Sequence, residues 1–385
     1  MNLPKKLTNK LKLREENNSL RKLTLQNNLI DFSSNDYLGL SKSESIFDET
    51  HRFLVDNNIK QNGATGSRLL SGNHSLYTEV EDFLSEFHQT ASATIFNSGY
   101  DANIGLFSAV PQRNDLILYD EFSHASIRDG IQLSNAKSYK FLHNNLEDLV
   151  QLLKRVQHDK SEIFVVTEAV FSMDGDAPDL IKTAAICKQY KAFLIVDEAH
   201  AIGVFNKNGS GLVQELHLQN DVFARIITFG KAIGCHGAAI LGNQDLQNYL
   251  VNFARSFIYT TGLTPHSLAT IRISYNEMLK QVQHNKNNLA ENIQFFKSEI
   301  ITLNLKELFV ESNSAIQCCL ISGNEKVKTI SEKFKEKGID VKAILSPTVP
   351  ENKERLRFCL HSYNSFEEIS EVLRLLSVFI LLELD

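Results

Sequence analysis

Long apolar runs are missing from this 385-residue chain. The longest, around Leu375 to Leu382, falls well short of the ~20 residues that cross a bilayer, so a buried helix is expected there and no membrane partner. Cysteine is sparse and unpatterned. Cys187, Cys235, Cys318, Cys319 and Cys359 are odd in number and show no C-x-x-C spacing, which argues against a disulfide framework or a zinc knuckle. Most lie in apolar stretches, where small core residues are expected, and no metal site is implied. Positive charge is not in excess either: 40 Lys and Arg stand against 46 Asp and Glu, a net charge of −6. That balance disfavours a nucleic-acid or anionic-membrane surface. The N-terminus carries Lys5, Lys6, Lys10, Lys12 and Arg14 but lacks the apolar stretch of a secretory signal, so a reducing, cytoplasmic setting is expected. Repeats and low-complexity tracts are absent.

What is present is ordinary in bulk, 43% hydrophobic and 22% charged. The length suggests two domains, or one large domain with an appendage. A charged, leucine-spaced start up to about Leu25 suggests a helix that packs against something else. Asn62 to Gly72 is a glycine- and serine-rich loop. From Ser75 to His88 apolar residues recur at helical spacing. The pattern then alternates: strands at Ala93–Phe96, Leu116–Tyr119, Ile163–Thr167, Phe193–Val196, Arg225–Phe229 and Ala238–Leu241, with helices such as Ala102–Val110 and Ala125–Leu133 between. Such alternation implies βαβ units and a mainly parallel sheet, an α/β fold. After Thr264 a long polar helix (Pro265 to about Ser298) leads into a smaller α+β region with strands at Ala315–Ile321 and Arg355–Leu360. The expected division is 1–40 as an N-terminal segment, 41–264 as a large domain and 265–385 as a small one.

The chemistry starts from two strand ends. Phe193-Leu194-Ile195-Val196-Asp197 is an apolar run that ends in a carboxylate, where open α/β sheets place their ligands. Ile227-Thr228-Phe229-Gly230-Lys231 lifts an amine at a second strand end. A buried carboxylate and a buried amine together suit pyridoxal 5'-phosphate (PLP), whose aldehyde takes the lysine while the Asp keeps the pyridine nitrogen protonated. Asn97-Ser98-Gly99-Tyr100 joins a strand to a helix, a place where backbone N–H groups meet a phosphate, or else a plain turn. Ser123-His124-Ala125-Ser126 begins another helix. Here His124 either faces a flat ring or simply opens the helix, and Ser123 is an equal candidate for the cap. Phe171-Ser172-Met173-Asp174-Gly175-Asp176 reads most simply as an acidic turn.

Asp197-Glu198-Ala199-His200 also spells the DEAH motif of nucleotide-driven helicases. That reading requires a G-x-x-x-x-G-K-[ST] loop upstream. The sole Gly-Lys, Gly230-Lys231, lies downstream and is followed by Ala. A non-enzymatic scaffold is a second rival, disfavoured because the lysine and the carboxylate that PLP needs are both present at strand ends.

NDYLGL, SGY, SHAS, VVTEAVFSMDGD, VDEAHAIGV, TFGKAIGCHGAAIL, FARSFIYTT and PTVP followed by RLRF resemble, in order and spacing, the α-oxoamine synthases. These are PLP-dependent enzymes that join an amino acid to an acyl thioester with loss of carbon dioxide. The resemblance runs from about Leu11 to the final helix. It implies a fold-type I PLP transferase, with a mainly parallel seven-stranded sheet in the large domain and a smaller α+β C-terminal domain. It further implies a homodimer, and as substrates a small amino acid and a thioester of CoA or acyl-carrier protein. By position it makes Lys231 the cofactor lysine, Asp197 the partner of the pyridinium and His124 the residue over the ring. Gly99 and Tyr100 fall at the phosphate, and Ser172, His200 and Thr228 at polar contacts to the cofactor. Thr260 or Thr261 would reach the neighbouring subunit's phosphate. Arg357 would hold the substrate carboxylate as a bidentate fork, with Thr348, Asn35 and Arg21 lining the substrate site. VFSMDGD, GAAIL, FARSFIYTT and PTVP point within the family to L-alanine and a pimeloyl thioester. Members using glycine with an acetyl thioester or serine with a palmitoyl thioester share the cofactor residues. Three features depart from the family pattern: a shorter segment between Arg21 and Asp31, His236 in GCHGAA and Arg68 in GATGSRLLSG. The last two either alter acyl-chain recognition or fill space.

Overall fold

The computed structural model describes residues 3–21, 23, 28–156 and 161–382, less the side chains of 281–287 and 382. Two units emerge. The larger comprises Asn35–Ser172 and Ala177–Asn287, the smaller Met1–Ser34, Met173–Asp176 and Asn288–Asp385. These bounds differ from the expected 40/41 and 264/265 divisions. Pro265–Thr302 is one continuous helix. Leu268, Ala269, Ile271, Tyr275 and Met278 are buried in its first half, and Leu289, Ile293, Phe296 and Ile300 in its second. A change of unit inside an unbroken helix needs no Gly or Pro, so the sequence carries no mark of it. The N-terminal segment, in turn, belongs with the smaller unit because Ile30–Asp31 pairs in parallel with Ile339–Asp340.

In the larger unit a seven-stranded sheet runs in the order Ser92–Phe96, Ala238–Gly242, Ala224–Thr228, Phe193–Asp197, Ile163–Glu168, Leu116–Asp120, Lys137–Phe141. Only Ala238–Gly242 runs against its neighbours. Runs such as IFVVTE and ARIIT are buried throughout, as strands covered on both faces must be. Alternate residues feed two cores. Phe164, Val166, Ile195 and Ile226 pack with Leu106, Phe107 and Ile127. Val165, Leu194 and Val196 pack with Leu149, Leu153 and Leu180. Each such side chain contributes about 1.5–3 kcal/mol on burial. The seventh strand, KSYKF, is an edge strand with exposed lysines, so no apolar run announces it.

Two local features set up the site. The helix Gly99–Ala109 starts three residues earlier than its apolar pattern, because the Ser98 hydroxyl accepts from Asp101 N–H at 3.1 Å and caps it. Its neighbour Ala125–Leu133 lies very close: a Cβ on Gly130 would sit 2.8 Å from the Asn103 carbonyl oxygen.

The smaller unit holds a three-stranded antiparallel sheet, Lys342–Ile344, Arg355–Cys359 and Ile316–Leu320, with Arg355–Cys359 in the middle. The final helix Phe366–Leu382 buries Ile369, Val372, Leu373, Leu376 and Phe379 but exposes Val378 and Leu381. The apolar run near the C-terminus is therefore one face of an amphipathic helix rather than a wholly buried one. The N-terminal helix spans Lys5–Glu16 and stops at Asn17, short of the expected limit near Leu25; 22 and 24–27 lie outside the described residues. Among the described residues no helix is long and apolar enough to cross a membrane.

Candidate active site

Lys231 follows the strand Ala224–Thr228 by three residues, and its Nζ lies 2.7 Å from His200 Nε2. His200 Nδ1 is 2.7 Å from the Tyr37 hydroxyl, which donates to Asn35 Oδ1 at 3.3 Å. His200 bridges the Tyr37 hydroxyl and the Lys231 amine through its two ring nitrogens. The NDYLGL segment thus orients the histidine beside Lys231. Of the substrate-lining residues expected, Asn35 joins this cluster.

Asp197 ends its strand with both oxygens engaged. Oδ1 accepts from Ala199 N–H and Oδ2 from Asn103 Nδ2, each at 2.9 Å. Asn103 also donates to Ser126 Oγ at 3.0 Å, and Ser126 Oγ stands 2.7 Å from His124 Nδ1. The Ser126 N–H donates to the same Nδ1 at 3.2 Å, so His124, not Ser123, caps the helix. An Nδ1 that accepts leaves the neutral ring's proton on Nε2. Burial lowers the His124 pKa, Asp197 opposes this, and Lys231 and Arg128 add to it. Below them lies Glu168, level with Asp197 across the strand pair. It accepts His124 N–H at 2.5 Å. Burial pushes its carboxyl well above the usual carboxylate range, with the Asp197 charge adding to the effect.

At the Gly99 helix start the first N–H groups have no partner within the helix, as an anion would require. A Cβ placed on Gly99 would lie 3.8 Å from the Thr228 side chain. Asn97 Nδ2 donates to Thr260 Oγ1 at 3.1 Å and to the Thr261 carbonyl at 2.6 Å. Gly99 thus lies beside Thr228, and Asn97 beside Thr260 and Thr261. The Tyr100 hydroxyl is turned to Asp129, at 2.6 Å, leaving its backbone to the first helical turn. Ser172 lies four residues beyond the strand Ile163–Glu168 and is half-buried.

In the smaller unit Arg357 lies in the middle strand, buried, and its Nη1 donates to Cys359 Sγ at 2.9 Å. Arg355, the other Arg of RLR, pairs with Asp174 and donates to the Lys353 carbonyl, which makes it a structural tie. Arg21 Nη2 donates to Thr348 Oγ1 at 3.3 Å, so these two expected substrate residues meet. Most of the short segment between Arg21 and Asp31 lies outside the described residues.

Arg68 grips Glu81 through two bonds, at 2.5 and 2.9 Å, and lies 3.8 Å over the Tyr77 ring; it fills space. His236 is exposed. Glu198 of the DEAH string accepts from buried Arg225, with Nη2 at 2.6 Å, inside the core. A helicase would aim that carboxylate at magnesium. Among the described residues no group of three His, Cys, Asp or Glu could hold a metal. Burial pushes the Cys187 and Cys235 thiols up to about 12, as inert core cysteines require.

Sequence reasoning missed Asn103, Ser126, Tyr37 and Glu168 as site residues. Glu168 had a signal: like Asp197, it closes an apolar strand run. The donor set suits PLP. An amine stands beside a histidine ring nitrogen, a carboxylate is held at a strand end, an imidazole lies within its electrostatic reach, and a capped helix start offers N–H groups for phosphate.

Comparison with known proteins agrees. The model of the family described as Aminotransferase class I and II matches residues 27–374. The chain is 39% identical to an 8-amino-7-oxononanoate synthase of Emericella nidulans, covering 96% of this chain and 94% of that one. It is 36% identical to a putative 8-amino-7-oxononanoate synthase of Bacillus cereus, covering 89% and 85%. Among solved structures, 8-amino-7-oxononanoate synthase from Francisella tularensis aligns with a TM-score of 0.79 at 30% identity, covering 93% and 99%. Serine palmitoyltransferase from S. paucimobilis, with PLP and myriocin bound, aligns with a TM-score of 0.87 at 25% identity, covering 97% and 96%. The chain belongs to the aminotransferase class I and II family and is a PLP-dependent enzyme of fold type I.

Proposed function

We propose that the protein condenses L-alanine with a pimeloyl thioester, releasing carbon dioxide and the thiol and giving 8-amino-7-oxononanoate for biotin synthesis. The observation that carries this is the 39% identity to an 8-amino-7-oxononanoate synthase across nearly both full lengths, together with the Lys231, Asp197 and His124 geometry.

PLP, when bound, supplies an aldehyde that takes the substrate amine and a protonated ring that withdraws electrons from Cα. Lys231 Nζ removes the Cα proton and later returns one. His200, with Nε2 2.7 Å from Nζ, hydrogen-bonds the lysine as it cycles. Asp197, held by Asn103 and Ala199, keeps a proton on the ring nitrogen. His124 covers a ring face as a neutral group. The N–H groups at Gly99 and Tyr100, with Thr228, take the phosphate, and Ser172 and His200 the ring hydroxyl. Arg357 binds the substrate carboxylate, and Thr348, Arg21 and Asn35 contact the substrates. One C–C bond forms to the thioester carbonyl carbon and the C–S bond breaks. The carboxylate then leaves as carbon dioxide, and a proton takes its place on Cα. A homodimer in the cytoplasm, with Thr260 or Thr261 reaching the partner's phosphate, completes this reading.

Competition assays test it: alanine, glycine and serine, each offered with pimeloyl, acetyl and palmitoyl thioesters, on CoA and on acyl-carrier protein. Highest kcat/KM is expected for alanine with pimeloyl. A preference for glycine with acetyl, or serine with palmitoyl, overturns the substrate assignment.

A further inference from the structure

We propose that Asn103 is a positioning residue that ties the Asp197 carboxylate to the His124 imidazole through Ser126, so that one buried amide sets both the edge and the face of the cofactor ring. This rests on the roles given above to Asp197 and His124.

The orientation of the amide is dictated by its surroundings. A carboxylate only accepts, so the Asn103 nitrogen must face Asp197 Oδ2, at 2.9 Å. The second N–H goes to Ser126 Oγ at 3.0 Å. Both donors are thereby used, and Oδ1 is left buried without a hydrogen-bond partner. An unpaired buried acceptor costs stability, and the two donations hold the amide in that orientation despite it. Because Ser126 Oγ accepts from Asn103, its own proton is directed to His124 Nδ1, 2.7 Å away. Polarity therefore runs one way, from Asn103 to Ser126 to His124, and fixes Nε2 as the protonated nitrogen. The close approach of the two helices at Gly130 holds Asn103 and Ser126 within reach. Asn103 is 2% exposed, so bulk solvent has little access to these bonds.

The test uses the holoenzyme of Asn103→Ala, Ser126→Ala and the double variant, with Asp197→Asn as control. Readouts are kcat, KM, the rate of PLP release and the pH titration of the visible absorption band. Asn103→Ala is expected to lower kcat ten- to hundredfold, to move KM for alanine by less than threefold, and to shift the absorption midpoint by half a pH unit or more. Ser126→Ala is expected to lower kcat in the wild-type background but to add little once Asn103 is Ala, because both cut one chain. A merely structural Asn103 would lower Tm and leave spectrum and kcat alone. That result, or full additivity of the two substitutions, overturns the proposal. If Asn103→Ala fails to fold, Asn103→Asp keeps the shape and replaces a donor facing Asp197 with an acceptor. Wild-type kcat and spectrum in that variant would equally overturn it. Near-normal turnover in Asp197→Asn would instead sink the site reading itself.

Discussion

Glu168 and Asp197 stand level on adjacent parallel strands, two carboxyl groups at the mouth of one sheet, and they are treated oppositely by their neighbours. Asp197 is furnished with two N–H donors, whereas Glu168 is fully enclosed and accepts a single backbone N–H from His124. Donors favour the ionised form and burial the protonated one. Two N–H donors thus face Asp197, while burial favours the protonated form of Glu168.

That contrast gives a pH-dependent stability prediction. The Glu168 pKa is raised in the folded state. The unfolded chain then loses its proton first, near the ordinary value of about 4.3, so the wild type loses stability as pH climbs from there toward the folded pKa. Glu168→Gln keeps an oxygen for His124 N–H and removes the ionisation. The Tm of the variant relative to wild type should rise as pH climbs above the ordinary carboxylate value of about 4.3. Parallel Tm curves would show that folding does not raise the Glu168 pKa.

Lys231→Ala should purify without covalently held cofactor and without activity. After borohydride reduction of the wild type, peptide mapping should find the pyridoxyl group on Lys231. A label on any other lysine removes Lys231 from its role.

Asp197→Asn should still bind PLP but lose at least ~100-fold in kcat, since a neutral partner no longer holds the ring proton where charge develops. Steady-state kinetics with alanine and pimeloyl thioester would measure it. Turnover within a factor of a few of wild type would reduce Asp197 to a strand-end residue.

Arg68 should matter to the fold and not to the acyl chain. Its side chain is 13% exposed and that of Glu81 11%. Glu81 also accepts Ile95 N–H at 2.8 Å, so its carboxylate stays buried when the arginine is removed. Stranding one member of a buried pair costs about 3–5 kcal/mol. Arg68→Ala should lose that much in chemical denaturation while keeping wild-type preference among pimeloyl, acetyl and palmitoyl thioesters. A changed acyl preference at unchanged stability would reverse the assignment.

Legibility in the sequence followed chain geometry. Asp197, Lys231 and His124 were readable because each stands at the end of an apolar run or the start of a helix, where periodicity stops. Asn103 lies inside a helix, 94 residues from its partner Asp197, and among Ala102, Ile104 and Leu106 it looks like one polar step in an apolar stripe. Tyr37 sits within a quoted motif, yet its link to His200 spans 163 residues and needs the fold to appear. The division inside Pro265–Thr302 was hidden because a helix can change its packing partner without changing its composition. The edge strand Lys137–Phe141 was hidden because its lysines face solvent.

The N-terminal helix gives the last prediction. Lys5–Glu16 buries none of its residues within the chain, and Leu7 and Leu11, one turn apart, are 47% and 49% exposed. A 12-residue helix with a mean composition this polar is marginal by itself in water, so packing must supply its stability. A second copy of the chain is the partner that the family resemblance implies, and the hydroxyl pair Thr260 and Thr261 is the group it would bring to the neighbouring phosphate. Light scattering of the holoenzyme should give twice the chain mass of 43.5 kDa. Leu7→Glu with Leu11→Glu should weaken the dimer, and the rate of PLP release should increase as protein concentration falls. A fully active monomer at 43.5 kDa would refute both the dimer and the shared site.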